Sequence, residues 1–139
     1  MTAAADIARS PVLFLRATTA VLAAAVRVLR LERRLVFDEM VRRLRRPREG
    51  EPRRVLAVAA ARVTGRLLPI LPPAGMGPCL KRSLILLHLW SRWGFEARLH
   101  MGVRPGEDGP EGHAWLTVDE PALQDVAGSP AGCEEAIEL

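Results

Sequence analysis

An α+β fold is predicted from three patterns in the 139 residues. Residues 11–68 repeat their apolar side chains at helical spacing. Residues 79–93 form one more, strongly apolar helix. From residue 95 the pattern switches to strict alternation, the period of a half-buried strand. Helices first and strands after them describe helical layers followed by a helix packed on a small antiparallel sheet.

The elements follow in order. The stretch 11–31 carries Phe14, Val21, Leu22, Ala25 and Leu29 as a helical stripe, with Arg16, Arg27 and Arg30 off it. A second helix near 36–46 has Asp38 and Glu39 in its first turn and Arg in its last, which suits the helix dipole. "PREGEP" at 47–52 is a loop, 52–68 a third helix, and "PILPPAGMGP" at 69–78 a Pro/Gly connector. The helix at 79–93 is stopped by Gly94. In the strand 95–104, Phe95, Ala97, Leu99, Met101 and Val103 point one way. Glu96, Arg98, His100 and Arg104 point the other, onto a solvated face. A turn-rich loop is expected at 105–112, strands at 113–118 and 123–128, and a frayed or weakly docked tail from 129. Two regions emerge, helical 1–70 and a core of 76–139, together sized for one compact domain.

Charge is divided between the halves. Residues 1–66 hold 15 Arg and 6 acids, a net of +9, and residues 67–139 hold 5 bases and 10 acids, a net of −5. The Arg-, Ala- and Leu-rich usage is that of GC-rich bacteria. The basic half reads first as solvated helix faces, with peripheral membrane contact or an acidic partner open to it. Nucleic acid is not expected, because aromatic interleaving, a Gly-rich arm and zinc spacing are all missing. The longest charge-free run of the N-terminal half, 17–26, is too short to span a bilayer, and the N-terminus does not read as a signal peptide. Two cysteines without a Cys-x-x-Cys make no disulfide framework. A cytoplasmic protein with no cofactor and no metal is expected.

The chemistry gathers around Cys79, which follows Pro78 at a helix start. The first N–H groups of a helix are unpaired and partly positive, so they stabilise a thiolate or an oxyanion. Proline suits the first helical position, and the glycines before it, Gly77 among them, let backbone approach a substrate. The competing reading is a small buried hydrophobe. A nucleophile needs a base. His88 is nine residues along the same helix, 180° around it, and reads as a surface residue. His100 lies on the polar face of its strand between Arg98 and Gly102, where cationic neighbours discourage its protonation and a solvated face is the reading. His113 enters an apolar strand after a glycine loop, where a polar ring needs a partner or a task. For the orienting acceptor, Asp119 is six residues beyond His113, roughly 20 Å along a strand. Asp125 becomes a diagonal neighbour of His113 if Val118 pairs with Ala122 around a three-residue loop, and faces away in an odd register.

Four segments together carry a resemblance: Cys79-Leu80-Lys81-Arg82-Ser83-Leu84, Met101-Gly102-Val103-Arg104, His113-Ala114-Trp115 and the acid Asp125. Over 79–125 the chain resembles the transglutaminase-like, papain-like cysteine peptidases that act as stand-alone leader peptidases in lasso-peptide biosynthesis. The resemblance implies a triad of Cys79 as nucleophile, His113 as base and Asp125 as orienter, with Asp119 in reserve. It implies cleavage between leader and core of a ribosomally made precursor peptide. It also implies a separate leader-recognition protein and the lasso cyclase as partners. Gly77 and Trp115 are the candidate substrate contacts. Two other functions fit the residues: a non-catalytic scaffold of a maturation complex, and an acyl transferase with the same triad. Of the remaining residues, Trp90 and Trp93 read as core. Ser83 is expected to bond back to the helix or pack under the site. Arg104 is expected to pair with Glu107 or Asp108, and Cys133 is expected to be an exposed thiol without a role.

Overall fold

Each helix begins and ends where local chemistry allows. In the computed structural model, residues 10–45, 52–71, 77–124, 126–127 and 134–138 are described. Helix α1 (Pro11–Arg34) has proline in its first turn, and Ser10 caps it by accepting from the Leu13 N–H at 3.2 Å. Helix α2 (Phe37–Leu44) places Asp38 and Glu39 at its start and Arg42 and Arg43 at its end, with Glu39 paired to both arginines. Helix α3 (Arg54–Leu67) buries Ala57, Ala59, Ala60 and Ala61, so its neighbours approach closely. A 3₁₀ turn over Leu68–Ile70 follows it.

Helix α4 (Pro78–Arg92) is the centre of the molecule and packs against α1, α2, α3 and the sheet. It ends as expected at Gly94, which takes φ = 91°. There Phe95 N–H bonds to Trp90 O at 2.9 Å and Gly94 N–H to Ser91 O at 3.5 Å, a Schellman closure. Trp90 is fully buried, and its indole N–H donates to Ala57 O at 3.1 Å, tying α4 to α3. Trp93 is likewise buried.

The sheet is antiparallel in the order β2–β1–β3, built from β1 (Ala97–Gly106), β2 (Gly109–Val118) and β3 (Glu134–Glu138). A short helix α5 (Pro121–Gln124) follows β2. Ala97, Leu99, Ala114 and Leu116 fill the core beneath α4.

Several expectations change here. The stretch 105–112 is not a loop: both strands run through it to a two-residue turn at 107–108, closed by Gly109 at φ = 116°. Pro105 faces Pro110 in that ladder. They occupy a non-hydrogen-bonded pair, where neither missing N–H interrupts the ladder. Arg104 pairs across the strands with Glu111 at 3.5 Å, not with the turn acids, because register sets them opposite each other. Among the described residues of 123–128 no strand forms. Pro121 opens α5 instead, since its fixed φ suits a helix start. The third strand comes from the acidic tail: Glu134–Glu138 pairs along β1, and Glu138 meets Arg98 at 3.3 Å.

His88 is not on the surface. It is buried on α4, with Nδ1–H donating to Leu44 O at 3.1 Å. A position opposite Cys79 is still interior, because α4 has helices behind it. Burial holds the His88 pKa below its usual 6.5; the Leu44 hydrogen bond opposes this, and Arg27 and Arg92 reinforce it. Above pH 6.5 the ring is neutral in folded and unfolded chains alike. Below that, the unfolded chain takes up a proton that the folded one refuses. Stability therefore drops as the pH is lowered below 6.5, by at most about 1.4 kcal/mol per unit from this group. His88→Asn, which keeps a donor toward Leu44, is expected to lose less stability between pH 7 and 5 than wild type in chemical denaturation. Parallel pH profiles would contradict this.

Candidate active site

The site starts from the N-terminus of α4. Gly77 is the N-cap and Pro78 the first helical residue, so the first turn has no side-chain cap. Gly77 O accepts from Lys81 N–H at 3.1 Å, starting the helical ladder. The N–H groups of Cys79 and Leu80, in that turn, have no partner within the helix. Cys79 is a half-buried free thiol. The helix is held at this end by Arg82, whose guanidinium donates to Val126 O and whose pKa is lowered by burial.

His113 comes from β2, directly opposite Gly102 of β1, which contributes no side chain there. Its ring stacks on Trp115 at 5.9 Å between centroids. Trp115 also stacks on His100, its cross-strand partner, at 5.6 Å and 11°. His100 Nε2 lies 2.7 Å from Thr117 Oγ1. His100 is thus buried rather than solvated as its strand alternation suggested. This aromatic row builds a second, partly covered face on the sheet, and it limits how the His113 ring can turn.

By strand alternation the His113 ring shares the sheet face of Trp115 and His100, opposite the face of Ala114 and Leu116 that packs on α4. Cys79 and His113 both line one cavity of about 370 Å³. Its other walls are Gly77, Gly102 and Gly112, without side chains, and the apolar Leu80, Met101, Val103 and Ala114. Trp115 is 5% exposed and is not among the described residues lining the cavity. Ser83, one turn beyond Cys79, is buried, and its hydroxyl has no hydrogen-bond partner among the described residues. It packs under the site rather than bonding back to the helix.

The edge of β2 runs along this cavity. Leu116 N–H bonds to Ala127 O at 3.3 Å, and Val118 N–H to Gln124 Oε1 at 3.0 Å, both away from β1. Because the ladder is unbroken, the even-numbered residues of β2 all turn their main-chain groups outward. Gly112 and Ala114 therefore present N–H and C=O groups beside Cys79, where an extended peptide could add as a strand.

Asp125 and Cys133 lie outside the described residues, as do most of the 47–52 loop and positions 72–76 of the connector. The hairpin assumed for Asp125 does not form, since 121–124 is helical. Asp119 is exposed and stands just past the end of β2, six residues beyond His113. Sequence reasoning missed His100 and Gly102. A cross-strand register of 97–104 against 113–118 would have exposed both, and a glycine inside a strand already hints at close approach.

A cysteine at a helix N-terminus and a histidine on a neighbouring strand line the same cavity, and these are the two group types that thiol acyl chemistry uses. Residues 18–134 match the family described as Transglutaminase-like superfamily, and the chain belongs to it. The superfamily generally contains cysteine-protease-like enzymes. No curated protein and no solved structure matches the chain.

Proposed function

We propose that this protein is a bacterial, cytoplasmic cysteine peptidase that removes the leader from a ribosomally made lasso-peptide precursor. The observation that carries the reading is that Cys79, His113 and the β2 residues Gly112 and Ala114 line one cavity. The precursor lies extended along Gly112 and Ala114 and sets one peptide carbonyl over Cys79. The Cys79 thiolate attacks the carbonyl carbon while His113 holds the thiol's proton. The oxyanion faces the first-turn N–H groups of α4. His113 then protonates the departing amine as the C–N bond breaks, leaving a thioester on Cys79. Water, deprotonated by His113, attacks that thioester and releases the second fragment as a carboxylate. Asp125 is the proposed acceptor that orients His113, and Trp115, itself stacked on His100, packs against the ring. Gly77 keeps the oxyanion side of the cavity clear. A separate recognition protein delivers the leader, and the cyclase takes over the core.

The test is direct. The precursor and its recognition protein are incubated with the enzyme and the products weighed by mass spectrometry. Two fragments whose masses sum to precursor plus one water are expected. Intact precursor after long incubation with all components would overturn the proposal.

The cavity makes a second prediction. A Cβ built on Gly112 meets nothing within 4 Å, so the fold has room for a side chain there. Gly112→Val is expected to keep the melting temperature and to lower kcat/KM by about tenfold, through loss of substrate alignment. Unchanged kcat/KM would remove the β2 edge from the binding path.

A further inference from the structure

We propose that the outer face of α1 docks the protein onto the surface of an anionic phospholipid bilayer. The helix is apolar on both sides. Its inner side, Ala17, Val21, Ala24, Ala25 and Val28, is buried against the protein. Its outer side leaves Val12 67%, Leu15 66%, Leu22 45% and Val26 48% exposed. At 100° per residue these four fall within about 80° of one another, as a continuous outward stripe with Thr19 and Ala23 between them. An 18-residue window of this helix has a mean hydropathy of 1.9, yet only 28% of it is buried. A core helix of that composition would be mostly covered.

Length and composition alone would let α1 cross a membrane. Its packing does not, because the inner side is committed to α3 and α4. A helix held by protein on one side and apolar on the other lies in the interface plane.

Charge complementarity names the occupant. No acid occurs between Ser10 and Leu31. The exposed Arg16 and Arg27 edge the stripe, and the exposed Arg30 and Arg33 close its C-terminal end. Exposed Arg62 and Arg66 of α3 stand beside Phe14 around a cavity of about 500 Å³. Cations bordering an apolar stripe match a surface that offers acyl chains at its centre and phosphates around it. Lysine-poor, arginine-rich edges also suit bidentate phosphate contacts. An acidic protein would satisfy the arginines but leave the stripe in need of a complementary apolar groove. The bilayer supplies both chemistries. This docking does not depend on what Cys79 does.

The experiment is co-sedimentation of the full chain with vesicles of phosphatidylcholine alone, or with about 30% phosphatidylglycerol added. Wild type is expected to pellet with the anionic vesicles, weakly with the neutral ones, and to be released in part by high salt. Leu15→Gln with Leu22→Gln and Val26→Gln, and separately Arg27→Gln with Arg30→Gln, are each expected to weaken binding by about tenfold. Both variants alter exposed positions, and circular dichroism with a melting curve checks that they fold. Three results would overturn the proposal: no pelleting of wild type, equal pelleting with neutral vesicles, or unchanged binding by both variants. Concentration-dependent self-association of wild type that ignores vesicles would assign the face to a second protein copy instead.

Discussion

Replacing Cys79 by alanine is expected to reduce precursor cleavage by about a thousandfold or more, to the level of the uncatalysed background. The thiol is half-buried at a helix end, so its removal leaves a small gap and the fold intact. His113→Ala is expected to lose a similar factor, because nucleophile and base act as one unit and their losses do not add. The double variant should therefore be no worse than either single one. Rates come from mass spectrometry of the fragments over time. Cleavage that survives Cys79→Ala would remove the proposed mechanism, and additive losses would separate the two side chains.

The largest effect on stability is expected at Trp90. It is fully buried where α3 and α4 meet, and its N–H satisfies Ala57 O. Trp90→Ala removes the ring and strands that carbonyl, at a cost of about 3–5 kcal/mol. Against typical domain stabilities of about 5–15 kcal/mol that is a large share. Trp90→Phe keeps most of the packing and loses the hydrogen bond, for about 1–3 kcal/mol. Urea denaturation midpoints give both values. A loss under about 1 kcal/mol for Trp90→Ala would mean that the α3–α4 contact does not hold the Cys79 helix in place.

How much of this was legible beforehand depended on the range of the interaction. Gly94 as a helix stop and the Cys79 helix follow from neighbours in the chain. The inward set of β1 also follows, since Ala97 and Leu99 are buried as their alternation implies. His88 was misjudged because a helical wheel reports direction, not cover. With α4 buried from Ser83 through Ser91, both of its faces are interior. His100 was misjudged for the matching reason on a strand. Alternation says which residues share a face, but Trp115 from the neighbouring strand is what hides the ring. A third strand is expected over 123–128, whereas the tail pairs with β1 through its backbone and an Arg98–Glu138 contact. A strongly acidic segment gives little strand signal of its own. The pairing of Cys79 with His113 was reached by eliminating other histidines, and both line one cavity. The place of Asp125 rested on a hairpin that is not there.

The central claim is that Cys79 is a nucleophile served by His113. The most direct measurement traps it. A peptide spanning the leader end, carrying a vinyl sulfone in place of the scissile bond, is incubated with the protein and the adduct mapped by tandem mass spectrometry. The account predicts a single adduct on Cys79 in wild type and a loss of labelling in His113→Ala. An adduct on Cys133, or labelling of Cys79 that is unchanged without His113, would contradict it.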